Sequence, residues 1–261
     1  MFGLFVVWNV VAYFVFEPPS DVEFNFPKFV GQPAKFPIPT APTCGIRKAK
    51  SAKEVVYMTV DDGPSASGRL NLLNAMDQLN NRTDTEAAYV SFIENGYNFC
   101  AQDSNAIVNL TCNPAAYDTA LQLLVWTIKA GHMIAAHSDS HFYDSNAGLC
   151  NYVTMSLVTK GKLECKPDTK PWFVLGWDVE WYLDAEATYD AQKEKCKVAQ
   201  DIVDQFDKKW KPGPSEDHVV LLTHDYFFVD EAKASIFRDV IAELQLLGYT
   251  IGTLDQYPLK Q

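Results

Sequence analysis

The chain has 261 residues, of which 48% are apolar and 21% are charged. These proportions indicate a globular protein and exclude a disordered or collagen-like chain. The 33 acidic and 22 basic side chains give a net charge of −11, which argues against binding to nucleic acid or to an anionic membrane and favours neutral or cationic substrates.

The amino terminus is predicted to direct the chain to the secretory pathway. Residues 1–16 are apolar except for Asn9, and this run is shorter than the roughly 20 residues that cross a bilayer. We interpret residues 1–17 as a signal peptide, with a buried strand or a short membrane anchor as the alternatives. Two glycosylation sequons, which begin at Asn81 and Asn109, agree with a secreted, extracellular glycoprotein.

The cysteines also agree with secretion. The chain has six cysteines and no CxxC spacing, which predicts up to three disulfides and argues against zinc ribbons and thioredoxin chemistry. The short-loop candidates are Cys100 with Cys112 and Cys150 with Cys165. Nothing in the sequence indicates an oligomer, so we expect a monomer.

Strand and helix patterns alternate after a lead-in. Residues 18–53 are rich in proline and phenylalanine and are predicted to be extended. The predicted strands cover residues 54–60, 86–92, 133–136, 172–179, 218–223 and 249–251. The predicted helices cover residues 65–79, 115–130, 187–209 and 231–247. This alternation predicts an α/β fold with a largely parallel sheet or barrel, in which reactive groups collect at the carboxyl ends of the strands.

Two adjacent carboxylates, Asp61 and Asp62, follow the first of these strands. One of them could act as a base while the other binds a metal ion. The alternative is an acidic turn before a helix, where the helix dipole favours negative charge.

Two histidines, His137 and His141, follow the third strand four residues apart. Side chains at this spacing share one face of a helical turn and can reach one metal ion. Together with Asp62 they would form a site of two histidines and one carboxylate, which suits zinc or another divalent transition metal. The alternative is a pair of surface or capping histidines.

Two further strands end in candidate site residues. His224 follows the strand at 218–223 and is a candidate acid or base, or else a core histidine. The segment 177–181 combines carboxylates with indoles, which can position a sugar, or else it is an aromatic part of the core with one buried acid. His132 and His218 lie at the other ends of their strands and are interpreted as structural.

These four elements, in this order, resemble those of the polysaccharide deacetylases, the family 4 carbohydrate esterases. Residues 59–64 are similar to that family's TFDDGP motif, and residues 131–141 to its GHEIGNHTxxH stretch. Residues 222–224 resemble its LxH motif, and residues 177–181 its Asp-Trp motif.

The resemblance implies a fold and an activity. The fold is a distorted, or here incomplete, (β/α) barrel, and residues 54–261 would be the catalytic domain. The activity is metal-dependent hydrolysis of acetyl groups from polymers of N-acetylglucosamine or from acetylxylan. For this chain we expect chitin or chitooligosaccharides, so the enzyme would be a hydrolase acting on the carbon–nitrogen bond of linear amides.

The resemblance also assigns a metal site. Carried over by position, Asp62, His137 and His141 would hold the metal, with zinc expected and cobalt or another transition metal as the alternative.

The remaining site residues follow from the same resemblance. Asp61 would be the general base, and His224 the general acid that protonates the departing amine. Leu222 and Trp181 would wall the acetyl pocket, and Asp178 would complete the substrate-binding set.

One motif of the family has no counterpart. Its members carry an Arg-x-Pro-Tyr motif between the histidine pair and the Asp-Trp element, and that arginine holds the catalytic aspartate. No arginine lies between Arg82 and Arg238 in this chain, and only Lys166 and Lys170, each followed by proline, faintly resemble it. Two further hypotheses follow: an impaired deacetylase-like protein that binds metal and glycan without turnover, and a chain shortened by splicing or by a gene-model error.

Overall fold

The structure is a computed structural model. It describes residues 5–7, 34, 37–49, 54–99, 114–137, 173–175, 177–183, 191–209 and 218–258. His141, Lys166, Lys170 and the cysteines of both short-loop candidates lie outside these ranges.

Eight strands and four α-helices lie in the described residues. The strands are β1 (Phe5–Val7), β2 (Val55–Gly63), β3 (Ser91–Glu94), β4 (Met133–Ala136), β5 (Phe173–Leu175), β6 (Val179–Glu180), β7 (His218–His224) and β8 (Thr250–Gly252). The helices are α1 (Ala66–Asn80), α2 (Pro114–Lys129), α3 (Ala191–Lys209) and α4 (Glu231–Leu246).

The strands form one sheet in the order β5-β1-β4-β3-β2-β7-β6. All neighbours in this order are parallel except β1, which is antiparallel to both β4 and β5. Strand β2 is central: β7 follows one edge of it, and the other edge is shared by β8 at its start and β3 at its end. The α/β fold with a largely parallel sheet is therefore confirmed.

The two ends of the sheet lie close together. Strands β5 and β6 occupy opposite ends of the strand order, yet only three residues join Leu175 to Val179. Three intervening residues span at most about 14 Å, so the sheet curls towards closure. The described strands thus fit the distorted (β/α) barrel that the sequence predicts.

The strands carry apolar side chains on both faces. On β2, Val56, Met58 and Val60 belong to the large core shared with α1, α3 and α4, whereas Tyr57 belongs to a smaller cluster on the other face. Side chains alternate between the two faces along a strand. Because the helices pack on the first face, the second face is the inner one of the curled sheet. Its cluster also contains Ile93, Ala135, Val220, Leu222 and Leu254.

Two predicted strands differ from the structure. Strand β3 begins at Ser91 rather than at residue 86, because the Asn80 side chain bonds both the N–H and the carbonyl of Ala88 and so takes the place of a neighbouring strand. The strand predicted at 172–179 is two strands, β5 and β6, which pair with opposite ends of the sheet. The predicted start of helix α3 at residue 187 lies outside the described residues.

The amino-terminal segment contributes β1, which pairs with β4 and β5. This corresponds to the strand alternative for residues 1–16, and the signal peptide stays a prediction. Among the described helices, none is both long enough and apolar enough to span a membrane.

A disulfide joins the lead-in to the domain. Cys44 is bonded to Cys196 of α3, and the neighbouring Thr43 N–H donates to the Glu243 carboxylate of α4 at 3.1 Å. Further along, the Ala49 N–H donates to the Tyr249 hydroxyl at 2.9 Å. The described part of the lead-in is thus fixed to the outer helices.

Candidate active site

Three candidate residues lie on the inner face at the carboxyl ends of neighbouring strands. Asp61 on β2 is paired with His224 on β7 and with Ile93 on β3, and Ile93 is paired with Ala135 on β4. His137 follows Ala135 by two residues, which keeps it on the same side. Parallel register therefore brings Asp61, His137 and His224 together at the carboxyl ends of the strands. The place where these three side chains meet is here called the opening.

A β-bulge brings Asp62 to the same opening. Adjacent residues of a regular strand point to opposite faces, but the pairing of β2 with β3 shifts between Asp61 and Gly63. Asp62 has φ of 61°, in the left-handed region. A bulge with one left-handed residue re-aims a side chain, and here it turns Asp62 towards the inner face.

The resulting distances are short. The Nε2 atom of His137 lies 3.5 Å from Asp61 Oδ2 and 3.5 Å from Asp62 Oδ1. The Nε2 atom of His224 lies 3.8 Å from Asp62 Oδ2. Asp61 is only 1% exposed, whereas the side chains of Asp62, His137 and His224 are 11–14% exposed. Asp61 thus forms the floor of the opening and the other three its rim.

Two asparagines hold the bulge in place. The Asn95 side chain donates to Asp62 Oδ1 at 2.9 Å, and the Asn95 N–H donates to the Gly63 carbonyl at 2.9 Å. The Asn98 side chain donates to the carbonyls of Asp62 and Gly63, each at 2.8 Å. These bonds satisfy the backbone groups that leave the strand ladder at the bulge. Neither asparagine was among the predicted site residues.

The environment of Asp61 favours its protonated form. Burial raises the pKa of the Asp61 carboxyl well above its ordinary value, and the charge of Asp62 raises it further. A hydrogen bond to Thr59 opposes this, while Glu94 and Glu180 add to the rise in pKa. Asp61 Oδ1 is buried and has no hydrogen-bond partner among the described residues. A bound cation would lower this pKa again.

A buried ion cluster lies behind the site. Arg69 is fully buried and contacts two carboxylates, Glu94 at 2.8 Å and Asp225 at 2.8 Å. Its guanidinium also donates to Thr127 Oγ1 at 3.1 Å, and the Ser65 hydroxyl donates to Asp225 Oδ1 at 2.6 Å. Because Asp225 follows His224 directly, the cluster fixes the end of β7 against β3 and the start of α1.

The bulge passes so close to this cluster that it requires glycine. A Cβ added to Gly63 would lie 2.3 Å from the Arg69 guanidinium, 2.5 Å from Glu94 and 2.7 Å from Asp225. A side chain at this position would displace either the ion cluster or the bulge.

Arg69 was not predicted as part of the site, although its spacing along the helix indicates burial. It lies three, four and seven residues before Leu72, Leu73 and Met76, all on the buried face of α1. A cation in an apolar stripe must find carboxylates in the interior.

The predicted substrate-binding residues separate in the structure. Leu222 lies on the inner face, one alternation before His224. Trp181 is 2% exposed and stacks on Phe237 of α4 at 5.5 Å between ring centroids, within the large core. Asp178 is exposed, and its carboxylate accepts from the Val220 N–H at 3.0 Å. The structure therefore brings Leu222 to the site, but not Trp181.

The donors at the opening fit a divalent transition metal. Asp62 supplies carboxylate oxygen and His137 supplies imidazole nitrogen, the ligand types that zinc takes in proteins. The described residues contain no group of three histidine, cysteine, aspartate or glutamate side chains arranged to hold a metal. The third predicted ligand, His141, lies outside them.

No family model matches the chain, and no curated protein matches it. Among solved structures, it is similar to a family 4 carbohydrate esterase from Bacillus anthracis, with 17% identity over 80% of this chain and 84% of that one and a TM-score of 0.42. A peptidoglycan deacetylase from Bacillus subtilis has 17% identity over 80% and 91% of the two chains and a TM-score of 0.38. The chitin deacetylase from Colletotrichum lindemuthianum has 15% identity over 80% and 88% and a TM-score of 0.38.

Proposed function

We propose that this protein hydrolyses the acetamide of N-acetylated amino sugars in a glycan. One observation carries the proposal: Asp61, Asp62, His137 and His224 converge at the carboxyl end of the inner face of the sheet. Two carboxylates and two imidazoles at one opening provide a base, an acid and metal ligands for amide hydrolysis.

Asp61 is proposed to act as the general base. It is buried beside His137, and burial raises the pKa of its carboxyl, which increases the affinity of the carboxylate for a proton. Asp61 takes a proton from water as the water oxygen bonds to the acetyl carbon.

His224 is proposed to act as the general acid. It lies beside Asp61 in the register of β2 and β7, so both side chains can reach the same scissile bond. As the carbon–nitrogen bond breaks, a proton from His224 goes to the departing amine, and acetate is the other product. An amine is a poor leaving group unless it is protonated, so this role is essential to turnover.

Asp62 and His137 are proposed to hold a divalent metal ion together with His141, zinc being the expected metal. Bound there, the ion supplies Lewis acidity for hydrolysis. The bulge and the Asn95 bond direct Asp62 into the opening.

The substrate is proposed to be chitin or a chitooligosaccharide. Leu222, below the level of Asp61 and His224, offers an apolar surface to an acetyl methyl group. A net charge of −11 suits a neutral polymer and its cationic deacetylated product. The Cys44–Cys196 disulfide supports a secreted, extracellular enzyme.

The test is acetate release from chitooligosaccharides by the purified chain with added zinc or cobalt. We expect release by the wild type and a loss of at least about a hundredfold in Asp61→Asn, with metal content unchanged. Asp62→Ala and His137→Ala should each lose the metal, and unchanged metal content in both would contradict the assigned ligands. A folded, metal-loaded wild type without acetate release would favour the binding protein without turnover.

A further inference from the structure

Three aromatic side chains form a connected group next to His224. The His224 ring lies 5.3 Å from the rings of Tyr226 and Phe227, between centroids. Phe227 contacts Tyr226 edge-on at 4.7 Å and Tyr182 edge-on at 5.0 Å. These rings therefore form one group of contacting side chains beside the proposed general acid. The group, here called the aromatic wall, consists of Tyr182, Phe227 and Tyr226.

The outer members of the aromatic wall are exposed and the inner member is buried. Tyr182 is 69% exposed and Tyr226 is 42% exposed, whereas Phe227 is 2% exposed. Two large apolar rings in water carry a hydration cost that binding would remove. Because both rings rest against a buried one, binding would freeze little further side-chain motion.

The alternation of side chains along β6 and the residues after it places Tyr182 on the same face of the sheet as the site. Along the end of β6, Val179 and Trp181 are members of the large core, while Glu180 and Tyr182 are exposed. Glu180 is paired with Leu222 of β7, which lies on the inner face. The alternation that directs Glu180 inwards also directs Tyr182 inwards.

We propose that the aromatic wall binds the sugar ring next to the one whose acetyl group is hydrolysed. This inference rests on the proposed function and identifies residues that would make the protein prefer oligomers. The flat C–H face of a pyranose packs on an aromatic ring. A sugar stacked there would stand beside His224, which places its neighbour at the catalytic opening.

The size of the aromatic wall favours a glycan over a protein partner. Full coverage of the exposed parts of Tyr182 and Tyr226 would bury less than about 400 Å². A stable protein interface needs about 800 Å² on each partner. One or two sugar rings match the smaller area.

The experiment measures binding separately from turnover. N-acetylchitotetraose is titrated by calorimetry into the metal-loaded Asp61→Asn protein, with and without Tyr182→Ala or Tyr226→Ala. We expect each alanine to raise Kd about tenfold, the equivalent of one aromatic contact. The matched control is Tyr89→Ala: Tyr89 is 40% exposed but precedes β3, so it lies at the amino end of that strand, whereas the site lies at the carboxyl ends of the strands. This control should leave Kd unchanged, and Tyr182→Phe should bind like its parent.

Each variant is first shown to have the same Tm as its parent, so that a change in Kd reports binding and not folding. Weaker binding in both alanine variants but not in Tyr89→Ala supports the aromatic wall, even if the wild type releases no acetate and the proposed function fails. Equal weakening in Tyr89→Ala, no weakening in either tyrosine variant, or no binding of the tetramer by the parent would overturn it.

Discussion

Replacing Arg69 with methionine tests whether the buried ion cluster stabilises the fold behind the site. Methionine retains most of the volume of the side chain and removes its charge. The Arg69 guanidinium contacts Glu94 and Asp225, both at 2.8 Å, and lies 3.9 Å from the centre of the Phe92 ring. After the substitution, two carboxylates would remain in the interior without their cation.

The magnitude follows from the burial of the partners. The Asp225 side chain is 0% exposed and that of Glu94 is 5% exposed, so water cannot replace the lost cation at either. Removing one partner of a buried pair costs about 3–5 kcal/mol. Because 1 kcal/mol shifts the Tm of a domain of this size by about 2–4 °C, Arg69→Met should melt about 6–20 °C below the wild type.

The assay is denaturant and thermal unfolding followed by tryptophan fluorescence. Lys197→Met is the matched control, because Lys197 is 69% exposed and its contact with Glu194 is 3.9 Å long; such surface pairs contribute at most about 1 kcal/mol. Adding Glu94→Gln to Arg69→Met removes one uncompensated charge and should restore part of the loss. If Arg69→Met lost no more stability than Lys197→Met, the argument from buried charge would be refuted.

Two other predictions concern a buried histidine and the glycine of the bulge. Burial lowers the pKa of His132 from 6.5 to about 3, so the unfolded state takes up the proton first and stability is lost as pH falls below 6.5. Between pH 7 and 5 this should remove about 2 kcal/mol from the wild type relative to His132→Phe; parallel pH curves for the two proteins would contradict it. Gly63→Ala should lose about 1–3 kcal/mol and bind metal less tightly, because its Cβ would lie 2.3 Å from the Arg69 guanidinium. Wild-type stability and metal affinity in Gly63→Ala would contradict the requirement for glycine at the bulge.

Much of the fold could be predicted because its central elements have clear periods. Strands β2 and β7 are apolar runs, and α4 repeats apolar residues at helical spacing, so these were placed within about three residues. The start of β3 could not be predicted, because residues before Ser91 have strand-like composition but bond to the Asn80 side chain instead. That choice depends on a residue in another element, and local pattern does not contain it.

The site residues that lie at strand ends could be predicted. Which of the neighbouring side chains are buried and which are exposed could not. Asp61 and His224 follow from the rule that reactive groups lie at the carboxyl ends of parallel strands. The sequence could not distinguish the burial of Trp181 in the core from the exposure of its neighbour Tyr182, since both are aromatic and adjacent. Nor did it show that Arg69 lies behind the site, although an arginine in an apolar stripe was a visible signal.

The bulge at Asp62 changes which residues of the strand share a face. In a regular strand, two side chains on one face are separated by an intervening residue, so carboxylates at one opening would occupy alternate positions. Here a single left-handed residue lets consecutive aspartates share a face. Substitutions at other positions adjust the strength of contacts, but an insertion of one residue between Asp61 and Gly63 would change which side chains share a face. The strand could still pair and pack, while one carboxylate would be turned out of the opening, so the site is more sensitive to the number of residues here than the fold is.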